Sequence, residues 1–237
     1  MTPSEPKRLV LVCDLAKTYL RFRRPLFLAI LEEGYEVHVV FTVASRDELS
    51  LVESDGMRGH VIPMDRAKIR PFGDLVYLMR LRYLLRKLQP SVLFSYQIKV
   101  AALSCLAARS IAGCRRFVLF PGLGFLVEQG SGPGRPGPVR ALANVVFERA
   151  FRGVDGVLLQ NSDDFDSLVE LGIVSGTVRH TVVNGSGVPL EEFDAEPATE
   201  EPARFLMAGR LLATKGFREF VEAAKRLRAA RGASVGS

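Results

Sequence analysis

Residues 8–43 read RLVLVCDLAKTYLRFRRPLFLAILEEGYEVHVVFTV, and this stretch decides the fold. Its first six residues form a compact apolar run suited to a strand covered on both faces. The polar DLAKTYLRFRR leads into PLFLAILEEG, which reads as a helix packing on one side and stopped by Gly34. Residues 36–43, EVHVVFTV, return to a valine-rich strand. Strand, helix and buried strand in succession predict an α/β architecture with a parallel sheet.

The alternation continues outward from this unit. RDELSLVESDG reads as a helix with a glycine stop, HVIP (60–63) as a short strand, and 73–88 as a long basic helix. SVLFSY (91–96) is a strand, 98–111 a small-residue helix, and RRFVLF (115–120) another strand. PGLGFLVEQGSGPGRPGPV (121–139) holds too much glycine and proline for a helix or central strand and reads as an ordered turn running into a loop. A helix near 139–152, the strand GVLLQ, a helix opening at Asn161 or Ser162, and the strand RHTVV (179–183) follow. The expectation is a Rossmann-like domain over residues 1–195 with about seven parallel strands.

Residues 185–202 carry six acidic side chains, no basic one and three prolines, the composition of an exposed linker. Beyond it RFLMAGR (204–210) reads as a strand and TKGFREFVEAAKRLRAARG as a helix with Phe217, Phe220, Val221, Ala224 and Leu227 at helical spacing. One strand and one helix do not close a core. Residues 196–237 are therefore expected to be the linker and incomplete opening of a second α/β domain in a truncated chain.

Composition sets the outer limits. A 237-residue chain that is 48% hydrophobic can fill a core and is not a disordered segment. The net charge of +6 favours anionic partners without choosing among them. Cys13, Cys105 and Cys114 are scattered, without disulfide or metal-ligand spacing, as expected in a reducing compartment. No stretch has the form of a secretory leader or a membrane span.

The turn after the first strand, CDLAKT, lacks the glycines of a dinucleotide-binding fingerprint, which argues against a nicotinamide-dependent dehydrogenase. Pro121-Gly122-Leu123-Gly124-Phe125 is either a plain tight turn or a place where backbone approaches a ligand. Asn184-Gly185-Ser186-Gly187 is either a hinge or a cleft wall. Arg210 and Lys215 stand at a strand end and a helix start, where two cations and free amides could converge on a sugar-linked diphosphate; an ordinary solvated pair is the alternative. Between Arg66 and Gln89 there are seven basic residues and one acid around a leucine-rich helix. That helix suits an anionic lipid surface or the cover of a sheet.

The segments RFRRPLFLAILEEGYEVHVV, LFSYQIKVAALSCLAARSIAG, PGLGF, VLLQNSDDFDSLVELGIV, VVNGSGVPLEEFD and FLMAGRLLATKGFREFVEAAKRLR together resemble the retaining glycosyltransferases of the GT4 type. These have the two-domain GT-B fold, and the likeness is greatest to bacterial enzymes that build capsule, O-antigen or glycoprotein glycans on lipid diphosphates. The resemblance implies an acceptor-side first domain and a nucleotide-sugar-binding second domain. It implies transfer of a sugar from a nucleotide-sugar donor to a lipid-linked glycan, with retained configuration, no cofactor, no metal and no nucleic-acid partner. It further implies a cytoplasmic protein, at the inner face of the plasma membrane where the acceptor is anchored. Arg210 and Lys215 match the pair that neutralises the donor diphosphate, and the Gly122–Gly124 turn would border donor or acceptor. Lys99 would meet the acceptor diphosphate, and Asn184 and Ser186 would line the cleft. The family's E-x7-E motif has no counterpart here, and Tyr96-Gln97-Ile98-Lys99-Val100 stands where H-T-x-K-P is common. The truncated chain is thus expected to be inactive by itself, with a noncatalytic acceptor-binding module as the alternative. A nucleotide-sugar 2-epimerase would share the gross fold but fits the NGSG and GRLLATKG segments less well.

Overall fold

In the computed structural model the described residues are 7–65, 70–123, 138–188, 190, 205–209, 211 and 215–233. The chain divides into two units, Met1–Val188 and Pro189–Ser237.

The first unit is built on strand β1, Arg8–Leu15, whose middle six residues are all buried. Helices α1 (Ala16–Phe22) and α2 (Arg24–Glu32) follow, then β2 (Glu36–Val43), α3 (Arg46–Ser54), β3 (Arg58–Val61) and α4 (Pro71–Leu88). The chain goes on through β4 (Val92–Tyr96), α5 (Ile98–Ala108), β5 (Arg115–Phe120), α6 (Pro138–Phe151), β6 (Gly156–Leu159), α7 (Asp163–Glu170) and β7 (His180–Val182). All seven strands pair in parallel in the order β3-β2-β1-β4-β5-β6-β7. The Rossmann-like α/β sheet read from the sequence is present.

Register explains why β1 is apolar on both sides. Leu11 lies between Val39 of β2 and Phe94 of β4. Alternate side chains then enter opposite layers. Leu9, Leu11 and Cys13 pack with Tyr19, Phe27 and Val52 of α1–α3. Val10 and Val12 pack with Tyr77, Leu81 and Leu85 of α4. A third cluster joins Val118, Phe120, Val157 and Leu159 of β5 and β6 to Phe147, Phe151 and Leu168.

One helix was not foreseen. The polar 14–24 segment, read as a connection, contains α1, which buries Ala16 and Tyr19. Arg23 closes it by donating its backbone N–H to the Tyr19 carbonyl at 2.8 Å. Pro25 in the first turn of α2 starts a separate helix there, because proline has no N–H to carry the earlier hydrogen-bond ladder onward. Helix α7 opens where expected: Asn161 Oδ1 accepts from the Asp164 backbone N–H at 2.8 Å, while the Ser162 side chain makes no cap bond.

In the second unit helix α8, Phe217–Ala233, forms as read. Residues 205–209, expected in a strand, are not in one. A strand is held by a neighbouring strand, and among the described residues this unit has none to offer. Phe205 and Leu206 accordingly lie 75% and 91% exposed.

Candidate functional site

In a sheet of this order the connections leaving β1 and β4 run in opposite directions, which opens a crevice outside their carboxyl ends. Local hydrogen bonds fix its floor. Thr42 Oγ1 donates to the Asp14 carbonyl at 2.8 Å, tying β1 to β2. The Asp14 backbone N–H donates to Gln97 Oε1 at 3.1 Å, tying β1 to the turn between β4 and α5. Gln97 holds φ at +71°, a backbone state that costs a non-glycine residue about 1–3 kcal/mol.

Arg23 stands beside this turn and is only 8% exposed. Its guanidinium carbon lies 5.4 Å from the centroid of the Tyr96 ring. Burial lowers its pKa, with Tyr96 opposing the change. A pocket of about 230 Å³ opens here, lined by Thr18, Phe22 and Arg23 from the α1–α2 region and by Tyr96, the last residue of β4, and Gln97. Pro121, Gln160 and Ser186 complete it from the ends of β5 and β6 and the segment after β7. Among the described residues its lining offers hydroxyls, amides and one guanidinium, with no carboxylate. Burial pushes the Cys13 thiol and the Tyr96 hydroxyl above their ordinary pKa values, which favours their neutral forms.

A second pocket, about 470 Å³, lies at the ends of β2 and β3 against the start of α4. Asp65, Arg70 and Asp74 line it. Lys99 Nζ contacts Asp74 Oδ1 at 2.7 Å and donates to the Asp65 carbonyl at 2.6 Å, while Arg70 Nε contacts Asp65 at 2.9 Å. The Lys99 charge is thus matched by a carboxylate.

The residues singled out from the sequence fall in different places. Ser186 lines the pocket at the β1–β4 crevice, and exposed Asn184 lies two residues before it. Gly122 follows the lining residue Pro121, with φ at +141° and open space where a Cβ would stand. Lys99 belongs to the Asp65–Asp74 group. Lys215 is exposed just ahead of α8 in the second unit. Gly124 and Arg210 lie outside the described residues. Arg23 and Gln160 were not singled out. A signal for Arg23 existed: Tyr19, Arg23 and Phe27 recur every four residues, and the two aromatic members are fully buried. Among the described residues no group of three or more His, Cys, Asp or Glu is placed to hold a metal ion.

A family model described as a glycosyl transferase 4-like domain matches residues 21–185. The N,N'-diacetylbacillosaminyl-diphospho-undecaprenol alpha-1,3-N-acetylgalactosaminyltransferase of Campylobacter jejuni is 26% identical over 222 residues, covering 87% of this chain. The chain spans 57% of that relative's length. Among solved structures, the S. aureus MnaA–UDP co-structure superposes with a TM-score of 0.52 at 13% identity, over 82% of this chain and 50% of that one. Sucrose-phosphate synthase of Thermosynechococcus elongatus gives 0.51 at 10% identity, over 79% and 50%. At such identities the structural likeness concerns the fold.

Proposed function

The chain belongs to the glycosyl transferase 4-like domain family, and from that premise we propose that it serves sugar transfer from a nucleotide-sugar donor to a lipid-diphosphate-linked glycan. The family match over residues 21–185 carries this reading. The Campylobacter relative, whose name states transfer of N-acetylgalactosamine to a sugar on undecaprenyl diphosphate, supports the acceptor class. In this reading residues 1–195 form the acceptor-side domain and residues 196–237 begin the donor side. Ser186 and Asn184 border the acceptor cleft, and the Gly122–Gly124 turn lets backbone approach the substrates. Lys99 meets an acceptor phosphate by exchanging it for Asp74.

Arg210 and Lys215 face the donor diphosphate. Negative charge builds on that group as the sugar leaves, so cations placed there stabilise the transition state more than the ground state. The protein works at the cytoplasmic face of an anionic membrane, with α4 as the surface in contact. Among the described residues no helix is long and apolar enough to cross a membrane.

The test is transfer of labelled sugar from a panel of nucleotide sugars to a prenyl-diphosphate-linked sugar, with anomeric configuration read by proton NMR. Retained configuration is expected. In a protein carrying a complete second domain, Arg210→Ala and Lys215→Ala should each lower transfer by about 30- to 1,000-fold, the loss of about 2–4 kcal/mol of charge stabilisation. Full activity in Arg210→Ala would remove the role assigned to that residue. Acceptor binding without transfer from any donor would favour a noncatalytic acceptor-binding module.

A further inference from the structure

Arginines are seldom buried, and when they are a carboxylate normally accompanies them, because an unpaired charge taken out of water is costly. Arg23 departs from that pattern. It is 92% buried by its 8% exposure, yet its guanidinium has no hydrogen-bond acceptor and no ion-pair partner among the described residues. Its guanidinium carbon lies over the face of Tyr96 at 5.4 Å from the ring centroid, a contact that does not neutralise its charge. Around it the pocket presents Thr18, Gln97, Gln160 and Ser186, all able to donate hydrogen bonds and none of them acidic. A volume of about 230 Å³ is below the roughly 300–1,000 Å³ of sites that enclose whole organic ligands. It suits a small anionic portion of a larger substrate. Gln97, whose strained backbone ties its side chain to the end of β1, gives the pocket a fixed wall.

We propose that this pocket binds a phosphate of a substrate diphosphate, with Arg23 as its bidentate anchor. A planar guanidinium matches two phosphate oxygens at once, and a site depleted of water strengthens that pairing. The inference rests on the sugar-transfer reading for the identity of the anion. Lipid-linked acceptor and nucleotide-sugar donor both carry a diphosphate, so the source is left to the measurement.

Calorimetric titration of the 237-residue chain with geranyl diphosphate, uridine diphosphate and inorganic pyrophosphate tests the site. Arg23→Met keeps length and apolar contact with Tyr96 while removing the charge. It should weaken diphosphate binding at least about tenfold, as expected for a lost charge-assisted hydrogen bond, and leave the melting temperature equal or higher. A residue held there for structure would show the opposite, a lower melting temperature with binding retained. Arg23→Lys should bind with intermediate affinity. Ser186→Asp, at an exposed position, adds a carboxylate to the pocket wall without threatening the fold and should likewise weaken binding.

Loss confined to geranyl diphosphate places the acceptor in the pocket, and loss confined to uridine diphosphate places the donor there. Undiminished binding in Arg23→Met and Ser186→Asp, or no binding of any probe by the unmodified chain at millimolar concentration, would overturn the site. Sugar transfer alongside binding independent of Arg23 would keep the enzymatic reading and remove this pocket; binding that depends on Arg23 without transfer would do the reverse.

Discussion

His38 and His60 show how a side chain can be conspicuous without belonging to the site. They lie toward the amino end of β2 and on β3, away from the carboxyl-edge pocket. Their rings stack, with Nδ1 of His38 2.9 Å from Nε2 of His60, and His38 Nε2 is 3.0 Å from Glu36 Oε1. The pattern closes when His38 donates from Nε2 to Glu36 and accepts at Nδ1 from His60, which requires a neutral His38. Burial lowers both imidazole pKa values; Arg58 and Arg8 lower His38 further against the opposing pull of Glu36, and His38, Arg58 and Lys87 do the same to His60. A histidine depressed below its ordinary 6.5 supports the fold fully above that value, and the support is lost as pH falls toward the folded-state pKa. Glu36 is also lowered, chiefly by its hydrogen bond from Arg8, from a starting point of 4.5, so its own loss begins further into acid. The melting temperature should therefore drop between about pH 7 and pH 5, and drop less in His60→Gln; equal drops would refute the assignment. At this scale the sequence was only partly legible. Asn161 could be read as a helix cap from its type and place. Arg23 had only its place midway between Tyr19 and Phe27 to mark it, because its burial comes from α1, α2 and β4 packing together.

Elements were easier to read where burial is two-sided. β1 and β2 stand out because their six middle residues are all buried, so that even His38 and Thr42 of β2 sit within a run read as apolar. α1 was missed because Lys17, Thr18 and Arg21 outnumber its buried positions. The expected strand at 204–210 failed in its described part for a different reason, since pairing is a property of two segments and a sequence window contains one. Packing between strands also makes a sharp test. A Cβ on Gly156 of β6 would stand 2.8 Å and 2.9 Å from two ring carbons of Phe117 on β5. Gly156→Ala should destabilise the protein by about 1–3 kcal/mol, seen as a lower urea midpoint; an unchanged midpoint would mean that the ring moves freely. On α4, Phe72, Leu75, Met79 and Tyr83 are all more than half exposed and recur three or four residues apart, which gathers them on one face. Arg80, Arg82, Arg86 and Lys87 are exposed on the same helix. Vesicles of anionic lipid should retain the protein at low salt and release it as screening shortens the reach of these charges to about 10 Å near 0.1 M. Retention unchanged after all four are neutralised would exclude this helix as the contact.

For the whole molecule, the division at Val188–Pro189 sets the response to proteolysis. Residues 8–183 should survive as a resistant core, with early cuts in the acidic stretch that follows; rapid cleavage throughout 8–183 would contradict the sheet. The position of β1 has a further consequence, for the time when the chain is being made. Of the seven strands in this sheet, the first to be synthesised is the one that ends in the middle, with β2 on one flank and β4 on the other. Its first flank is covered within a few dozen residues, whereas Val92–Tyr96 must be synthesised before the second can close. At about 5–20 residues per second the nascent chain carries that open, apolar edge for roughly 4–15 s. Over that interval the half-built sheet is a template for pairing with other chains, and chaperone capture would be most valuable just before Tyr96 emerges.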